Sequence, residues 1–347
     1  MAIKKASYNK DEAKALRNSA IPAAVMASEG TRFDSADEAS VFFARELDHV
    51  KAESYDVEYP EFTALNLFPV SNETDPGAET VTYYTYDKTG LAKVIDNYST
   101  DLPRADVTGK PSYAQVKSIG DSYGYSAQEM RASRMAGKSL DSRKAESARY
   151  QIDNLTNRIA WAGDENSGLM GVLSTGQNVP LYAIGNGAGN KADWASKTAD
   201  EILADVNGMQ KQVARVTKNV ERPDTLCVPS DVYMDISTRR IPDTATTVKA
   251  FLLENAPYLK DIVSTAELDA DSVDTNPYAK ASTGGKGVAF LFKNDKRKMS
   301  LENPMPFMQY PLQVKGLETV IPCEARTAGV IFYYPLSALI AVGVSVN

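Results

Sequence analysis

The sequence predicts an α+β fold in which one long extended arm stands apart from the packed elements. Three observations lead there. Residues 78–125 are rich in Tyr and Thr and carry little that could be buried. Ser/Thr-x-x-Glu capping boxes open amphipathic helices at Ser35, Ser126 and Thr198. Short apolar runs bounded by Gly, Pro and Asn fill the C-terminal third, as buried strands do.

The arm reads as a strand over Glu79–Ile95, a polar tip over Asp96–Asp106, and a returning strand over Val107–Tyr125. Pro103, Asp101 and Asp106 suit the turn. At about 3.3 Å per residue the outgoing strand would reach roughly 55 Å. Val81, Tyr83 and Thr85 alternate with Thr82, Tyr84 and Tyr86, so neither face is strongly apolar and the strand sets its own register weakly. An isolated two-stranded ribbon is marginal in water. This arm therefore needs a surface to lie on, and the expected surface is a neighbouring copy of the same chain.

Composition bounds the rest. The 347 residues carry 38 basic and 45 acidic side chains, a net charge of −7. That argues against a free nucleic-acid binder, whose affinity comes from neutralising phosphates. It leaves open a protein that encloses nucleic acid without gripping it. Cys227 and Cys323 sit in strand-like apolar settings and are expected to be buried free thiols. The single histidine, His49, removes most zinc and triad chemistry. No secretory signal is visible, because Met1-Ala-Ile-Lys-Lys lacks an apolar stretch behind it. Residues 329–346 carry no charge, but Pro335 divides them, and two buried strands, Val330–Tyr334 and Leu339–Val346, are expected in place of a membrane span.

Along the chain, residues 1–33 are polar and lysine-bearing and are expected to need a partner to become ordered. A helix follows Ser35 to about Glu53. Behind the arm, Ser126 starts a helix that Gly137 interrupts, and Asp141 caps the longest helix, to Ala162. Its inner face is Ala145, Ala148, Ile152, Leu155 and Ile159. A glycine loop, Gly163-Asp-Glu-Asn-Ser-Gly168, comes next. The helix after Thr198 is expected to bury Ile202, Val206, Met209, Val213 and Val216. Strands Thr225–Pro229, Ile262–Thr265 and Gly287–Phe292, with a helix near Thr247–Asn255, give residues 195–298 a βαβ-like character. The polar loop Glu267–Lys286 lies within them.

Chemical motifs fail on their spacing. Met135-Ala-Gly-Lys-Ser139 lacks the first glycine of a phosphate loop, and that position, Ala132, lies in a helix. Asp269-Ala-Asp-Ser-Val-Asp274 lacks the glycine and an oxygen ligand of a calcium loop. Gly185-Asn-Gly-Ala-Gly189 lacks the spacing of a dinucleotide loop. Asn72-Glu-Thr, Asn97-Tyr-Ser and Asn154-Leu-Thr match a glycosylation pattern that means nothing without a secretory signal. No nucleophile has a paired base. The reading is no enzyme, no cofactor and no metal.

The order of parts resembles the major capsid proteins of tailed bacteriophages, whose fold is shared with encapsulins and herpesvirus capsid floors. Three stretches carry the resemblance most: Gly163-Asp-Glu-Asn-Ser-Gly168-Leu-Met-Gly171, the arm tip Asn97–Asp106 with Tyr125-Ser-Ala-Gln-Glu129-Met behind it, and Arg326-Thr-Ala-Gly-Val330-Ile-Phe-Tyr-Tyr-Pro335. The resemblance implies an N-terminal arm with a helix (1–77), an extended loop lying over the adjacent subunit (78–125), a peripheral domain with a spine helix (126–194 and 299–347) and an axial domain (195–298). Inter-subunit contact would fall to Asp96, Asn97, Tyr98, Asp101, Leu102, Pro103, Arg104 and Asp106 at the loop tip. Glu267, Asp269, Asp271 and Asp274 would form an axial loop. Some capsid families join subunits by lysine–asparagine bonds; Lys88, Lys93 and Lys110 lie on the arm, but no partner can be placed, so none is assumed.

The partners so implied are the chain itself, in hexameric and pentameric capsomers, with portal and scaffolding proteins and possible decoration proteins. Scaffolding is expected to be a separate protein, since only about 75 residues precede the arm. The shell would enclose double-stranded DNA without sequence-specific binding, with no membrane, in a virion assembled in host cytoplasm. An encapsulin compartment with enzyme cargo is the alternative in the same fold, and an unrecognised enzyme the alternative outside it. The long polar N-terminal segment favours the phage shell, and the lone histidine counts against the enzyme.

Overall fold

The computed structural model describes residues 60–94, 102–136, 143–280 and 284–346. The expectations for residues 1–33, the Ser35 helix, His49, Gly137, Asp141 and the tip residues Asp96, Asn97, Tyr98 and Asp101 lie outside them. In chain order the described elements begin with a short helix α1 (Ala64–Leu67) and strand β1 (Val70–Ser71). Strands β2 (Thr80–Thr89), β3 (Asp106–Gln115) and β4 (Lys117–Ser126) follow, then helices α2 (Ala127–Ala136) and α3 (Arg143–Ala162). Next come β5 (Leu181–Ala183), α4 (Ala199–Val216), β6 (Thr225–Val228), α5 (Ser230–Thr238), α6 (Val248–Asn255), β7 (Asp261–Ser264) and β8 (Lys286–Phe292). The chain ends with β9 (Met299–Glu302), β10 (Met305–Gln309), β11 (Gln313–Lys315), β12 (Glu318–Thr327), β13 (Gly329–Phe332) and β14 (Ala338–Val346).

A five-stranded sheet, ordered β5-β14-β8-β6-β7, forms the centre. Its inner strands are buried on both faces, so alternate residues feed two cores. Leu226, Leu291 and Leu339 meet α4, α5 and α6 through Ile202, Val206, Met209, Val232, Ile236 and Leu252. Cys227, Phe290 and Ile340 point the other way, toward Phe68, Trp161, Leu301 and Val330. Phe68 packs edge-on against Trp161, with ring centroids 4.9 Å apart, and against Phe290 and Phe292, which stack on each other. A second sheet pairs β12 with β4 on one side and with β10 and β11 on the other. Helix α3 lies on it through Ala148, Ile152 and Ile159. A third sheet, β1-β9-β13, is small, and β2 and β3 form a separate two-stranded ribbon.

Several expectations are met for local reasons. Ser126 and Glu129 exchange the two bonds of a capping box, at 2.9 and 3.1 Å. Thr198 and Glu201 do the same at the start of α4. Other expectations change. The returning strand of the arm divides at Val116, which is buried and whose N–H donates to the Glu79 carbonyl at 2.8 Å. From Lys117 onward the chain leaves β2 and pairs with β12. The ribbon is therefore ten residue pairs, from Thr80↔Gln115 to Thr89↔Asp106, about 33 Å at 3.3 Å per residue. Val216, the last residue of α4, is exposed rather than buried. Strand β14 is bonded to β8, and β5 to β14, so both lie in the central sheet with residues 225–292.

Helix α5 has no counterpart in the sequence reading. Its first N–H, on Ser230, is satisfied at 2.7 Å by the Asp269 carboxylate, 39 residues further on. The N-terminal signal of this helix is tertiary rather than local.

Candidate functional site

The ribbon leaves the packed sheets and becomes progressively exposed. Near its root Val81, Tyr83, Ser112 and Ala114 are half-buried; from Tyr86 outward every described residue is exposed. The root is held from several directions. The Tyr83 ring meets Tyr333 edge-on, with centroids 5.1 Å apart. The Arg326 guanidinium donates to the Pro76 carbonyl, and Lys296 pairs with Glu73 at 2.8 Å. Beyond the root, period-two alternation puts Tyr84 and Tyr86 on one face, stacked with centroids 6.4 Å apart. Tyr113, opposite Thr82, joins them across the ribbon. Tyr86 lies over Gly109, where an added Cβ would stand 2.9 Å from its ring. The exposed face is thus aromatic, which the sequence reading missed. The visible signal was Tyr at two-residue spacing facing a glycine.

At the outer end Leu91, Val94 and Leu102 are 84%, 96% and 58% exposed. Of the tip residues named from sequence, Leu102, Pro103, Arg104 and Asp106 are described and all are exposed. Asp106 is the first residue of β3 rather than part of the turn: its carbonyl accepts from the Thr89 hydroxyl at 3.2 Å.

The glycine loop joins α3 to this region. Gly163 and Gly168 take φ of +76° and +71°, which side-chain-bearing residues rarely adopt. Asp164 and Leu169 exchange backbone bonds at 2.8 and 3.0 Å, closing the loop. The Met170 carbonyl then accepts from Val330 N–H at 2.8 Å, tying the loop to β13. Gly168 abuts the Gln115 amide at the ribbon root.

The loop after β7 is two different structures. Glu267, expected to face outward on an axial loop, is buried. Its Oε1 accepts from Asn157 Nδ2 of α3 at 2.9 Å and from Thr63 N–H at 3.1 Å. Asn157 Oδ1 in turn accepts from Ala64 N–H at 3.0 Å. The Glu267 carboxylate turns inward here because two donors from distant segments converge on its Oε1; its Oε2 is buried with no hydrogen-bond partner among the described residues. Asp269 is half-buried as the cap of α5; burial pushes its carboxyl above the usual range, partly countered by the Ser230 N–H. Asn276, fully buried, donates to the carbonyls of Asp269 and Lys286 at 3.0 and 2.8 Å and holds the loop base. Asp271 and Asp274, with Val273 between them, are exposed.

Among the described residues no group of His, Cys, Asp and Glu side chains could hold a metal ion. Both cysteines are free and buried. Burial, with the Asp261 and Glu267 carboxylates nearby, pushes the Cys227 thiol well up; burial and Asp121 raise Cys323. Neither is poised as a thiolate. No described helix is long and apolar enough to cross a membrane.

The family model of the major capsid proteins matches residues 90–344. No curated protein matches the chain. Among solved structures, the capsid of Myoviridae phage XM1 superposes with a TM-score of 0.72 at 18% identity, covering 88% of this chain and 100% of that one. The capsid of a native GTA particle, computed with C5 symmetry, gives 0.61 at 9% identity, covering 90% and 100%. A structure from Mycobacterium phage Ogopogo gives 0.56 at 12% identity, covering 85% and 96%. At these identities the solved structures establish the fold alone.

Proposed function

We infer that this chain, which belongs to the major capsid protein family, builds the icosahedral head shell of a tailed phage from hexamers and pentamers of itself and encloses double-stranded DNA there. The observation that carries the reading is the ribbon: two strands joined by ten residue pairs, with an aromatic face and an apolar outer end that no core among the described residues covers. Laid over a neighbour, it supplies contact area that the packed body alone lacks, and permanent assemblies need roughly 2,000 Å² or more per interface.

In this reading residues 1–77 are an N-terminal arm, 78–125 carry the extended loop, and α3 is the spine of a peripheral domain over 126–194 and 299–347. Residues 195–298 form the axial domain, completed by β5 and β14 as its sheet neighbours. Asp271 and Asp274 reach the capsomer axis, while Glu267 and Asp269 brace the loop behind them. The tip, Asp96–Asp106, touches the adjacent subunit. Portal and scaffolding proteins, with or without decoration proteins, complete the head in the host cytoplasm. The chain turns over no substrate and needs no metal.

Negative-stain imaging of particles formed by the full chain, with their nucleic acid assayed, tests this. Closed shells unaffected by a chelator and made of five- and six-membered capsomers are expected when the chain is produced with its scaffolding partner. A soluble monomer at all concentrations would overturn the reading. Shells carrying an enzyme in place of DNA would replace it with a protein compartment.

A further inference from the structure

The central sheet has two edges, β5 and β7. The pairing register joins them in one row: Leu181 lies opposite Ile340, Ile340 opposite Phe290, Phe290 opposite Cys227, and Cys227 opposite Val263. Four strand spacings make the row about 19 Å wide. Leu181 and Val263 thus mark the two ends of one line across the molecule.

The two ends differ in charge. At the β5 end, Lys211, Arg215 and Val216 of α4 line a hollow of about 530 Å³ with Tyr182 and Gln212, and no carboxylate lines it. Leu181 and Val216 are exposed. Gln212 Nε2 donates to the Leu181 carbonyl at 3.2 Å, so the strand edge is capped at this residue and offers side chains rather than a place for another strand. At the β7 end, a cleft of about 480 Å³ is lined by Glu61, Asp224 and Asp261 against one lysine, Lys260, with Phe62 and Val263 as its apolar wall. Asp224 is already held by Lys260 and Lys293, at 3.2 and 2.8 Å. Glu61 and Asp261 remain exposed at the rim.

We propose that these two ends meet between neighbouring copies: Leu181 and Val216, flanked by Lys211 and Arg215, seat in the Phe62–Val263 cleft of the next subunit, beside its Glu61 and Asp261. This rests on the shell reading and names the side-to-side contact within one capsomer. The occupant is a second copy because the two surfaces match in sign and apolar character and stand at opposite ends of one row. Like surfaces cannot pair, since each would bring charges of one sign together. The contact is therefore head-to-tail, and head-to-tail contacts close into rings when the rotation between copies allows.

The test uses reciprocal charge reversals in the full chain: Lys211→Glu with Arg215→Glu, and separately Glu61→Lys with Asp261→Lys. All four residues are exposed, so circular dichroism and thermal unfolding should match the unaltered chain. Each variant alone should lose ring formation by at least a hundredfold in concentration, read by sedimentation velocity. Mixed in equal amounts, each variant's altered end fits only the other's. Rings must then alternate, so six-membered rings return and five-membered rings do not. Free assembly by either variant, or no rescue on mixing, overturns the contact. If the cleft variant fails, the α4 variant assembles, and deletion of residues 1–58 copies the cleft defect, the occupant is the N-terminal segment and the proposal is wrong. As a second measurement, Arg215→Cys with Asp261→Cys should give an oxidative ladder up to ring size, since the native thiols are buried; dimers alone would count against it. An unaltered chain that forms no rings would instead refute the shell reading itself.

Discussion

Excising the outer end of the ribbon separates its role in assembly from any role in folding. Thr89 and Asp106 face each other across the ribbon. Residues 90–105 can therefore be replaced by Asn-Gly, the two-residue turn that matches strand twist. None of the described residues removed is buried, so the isolated subunit should keep its stability within about 0.5 kcal/mol. Assembly should not survive so easily. The excision removes Leu91, Val94 and Leu102, which are 84%, 96% and 58% exposed. Burying side chains of this kind is worth about 1.5–3 kcal/mol each, so at these exposures the tip offers a neighbour roughly 4–7 kcal/mol as an upper limit. Ordering the tip against a partner takes back a share of this. If about 2 kcal/mol survives per contact, the loss is roughly thirtyfold at each one, and a closed ring multiplies it. The assay is sedimentation velocity of capsomers across a concentration series, paired with urea unfolding of the dissociated subunit. Shells of normal size and normal denaturant resistance would show that the ribbon end does not bridge subunits. An unfolded subunit would show that it serves its own fold.

Three further outcomes test the frame that holds the ribbon. Glu267→Ala should cost about 2–4 kcal/mol, because it leaves the buried Asn157 Nδ2 and the part-buried Thr63 N–H without their acceptor; a loss under about 0.5 kcal/mol in urea unfolding would mean the joint is solvated. Gly163→Ala should cost at least about 2 kcal/mol from its left-handed backbone alone, and its Cβ would stand 2.4 Å from Ser174 Oγ and 2.7 Å from Leu169 O. Gly185→Ala, with open space around it, is the silent control. Asp224 should contribute to acid stability: burial pushes its carboxyl up, but Lys293, the Asn294 N–H and Lys260 outweigh burial and hold it below the usual 3.8. Its contribution is then full above that value and lost as pH falls through the lower folded one, so Asp224→Asn should flatten the stability loss expected below about pH 4. An unchanged acid limb would rule the ion cluster out.

The parts of the fold legible in sequence are those decided within a few residues. The Ser126 and Thr198 capping boxes name their own partners three positions on. The spacing of Ile202, Val206, Met209 and Val213 finds the sheet because one face of a helix is enough to specify it. Runs such as Val288–Phe292 have no polar face and must be covered on both sides. What escaped depends on distant partners. Helix α5 starts where Asp269 reaches Ser230. Glu267 reads as a solvated loop carboxylate until Asn157 and Thr63 meet it. The division of the returning strand at Val116 follows from β12 competing with β2 for the same chain, and β12 offers a helix-backed sheet where β2 offers only a ribbon. Val216 continues the apolar period of α4 but, as its last residue, stays exposed.

The ribbon itself shows why an arm with no core can still present a defined surface. A strand pair with two similar faces can slip by one residue, and such a slip carries Tyr84 and Tyr86 to the side now held by Tyr83. Beyond Tyr86 burial does not resist that slip, because every described residue there is exposed. Resistance comes from the root, where Glu79 bonds Val116 and Tyr83 seats against Tyr333. It also comes from Gly109, the strand position that lets Tyr86 lie flat across the pair. The body of the subunit thus fixes at one end which face the ribbon presents some 30 Å away at the other, at about 3.3 Å per residue. A sequence that gave the ribbon its own apolar face would set the register locally, but it would also leave an exposed apolar sheet on every unassembled subunit. Tyrosine and threonine avoid that hazard and leave the decision to the root.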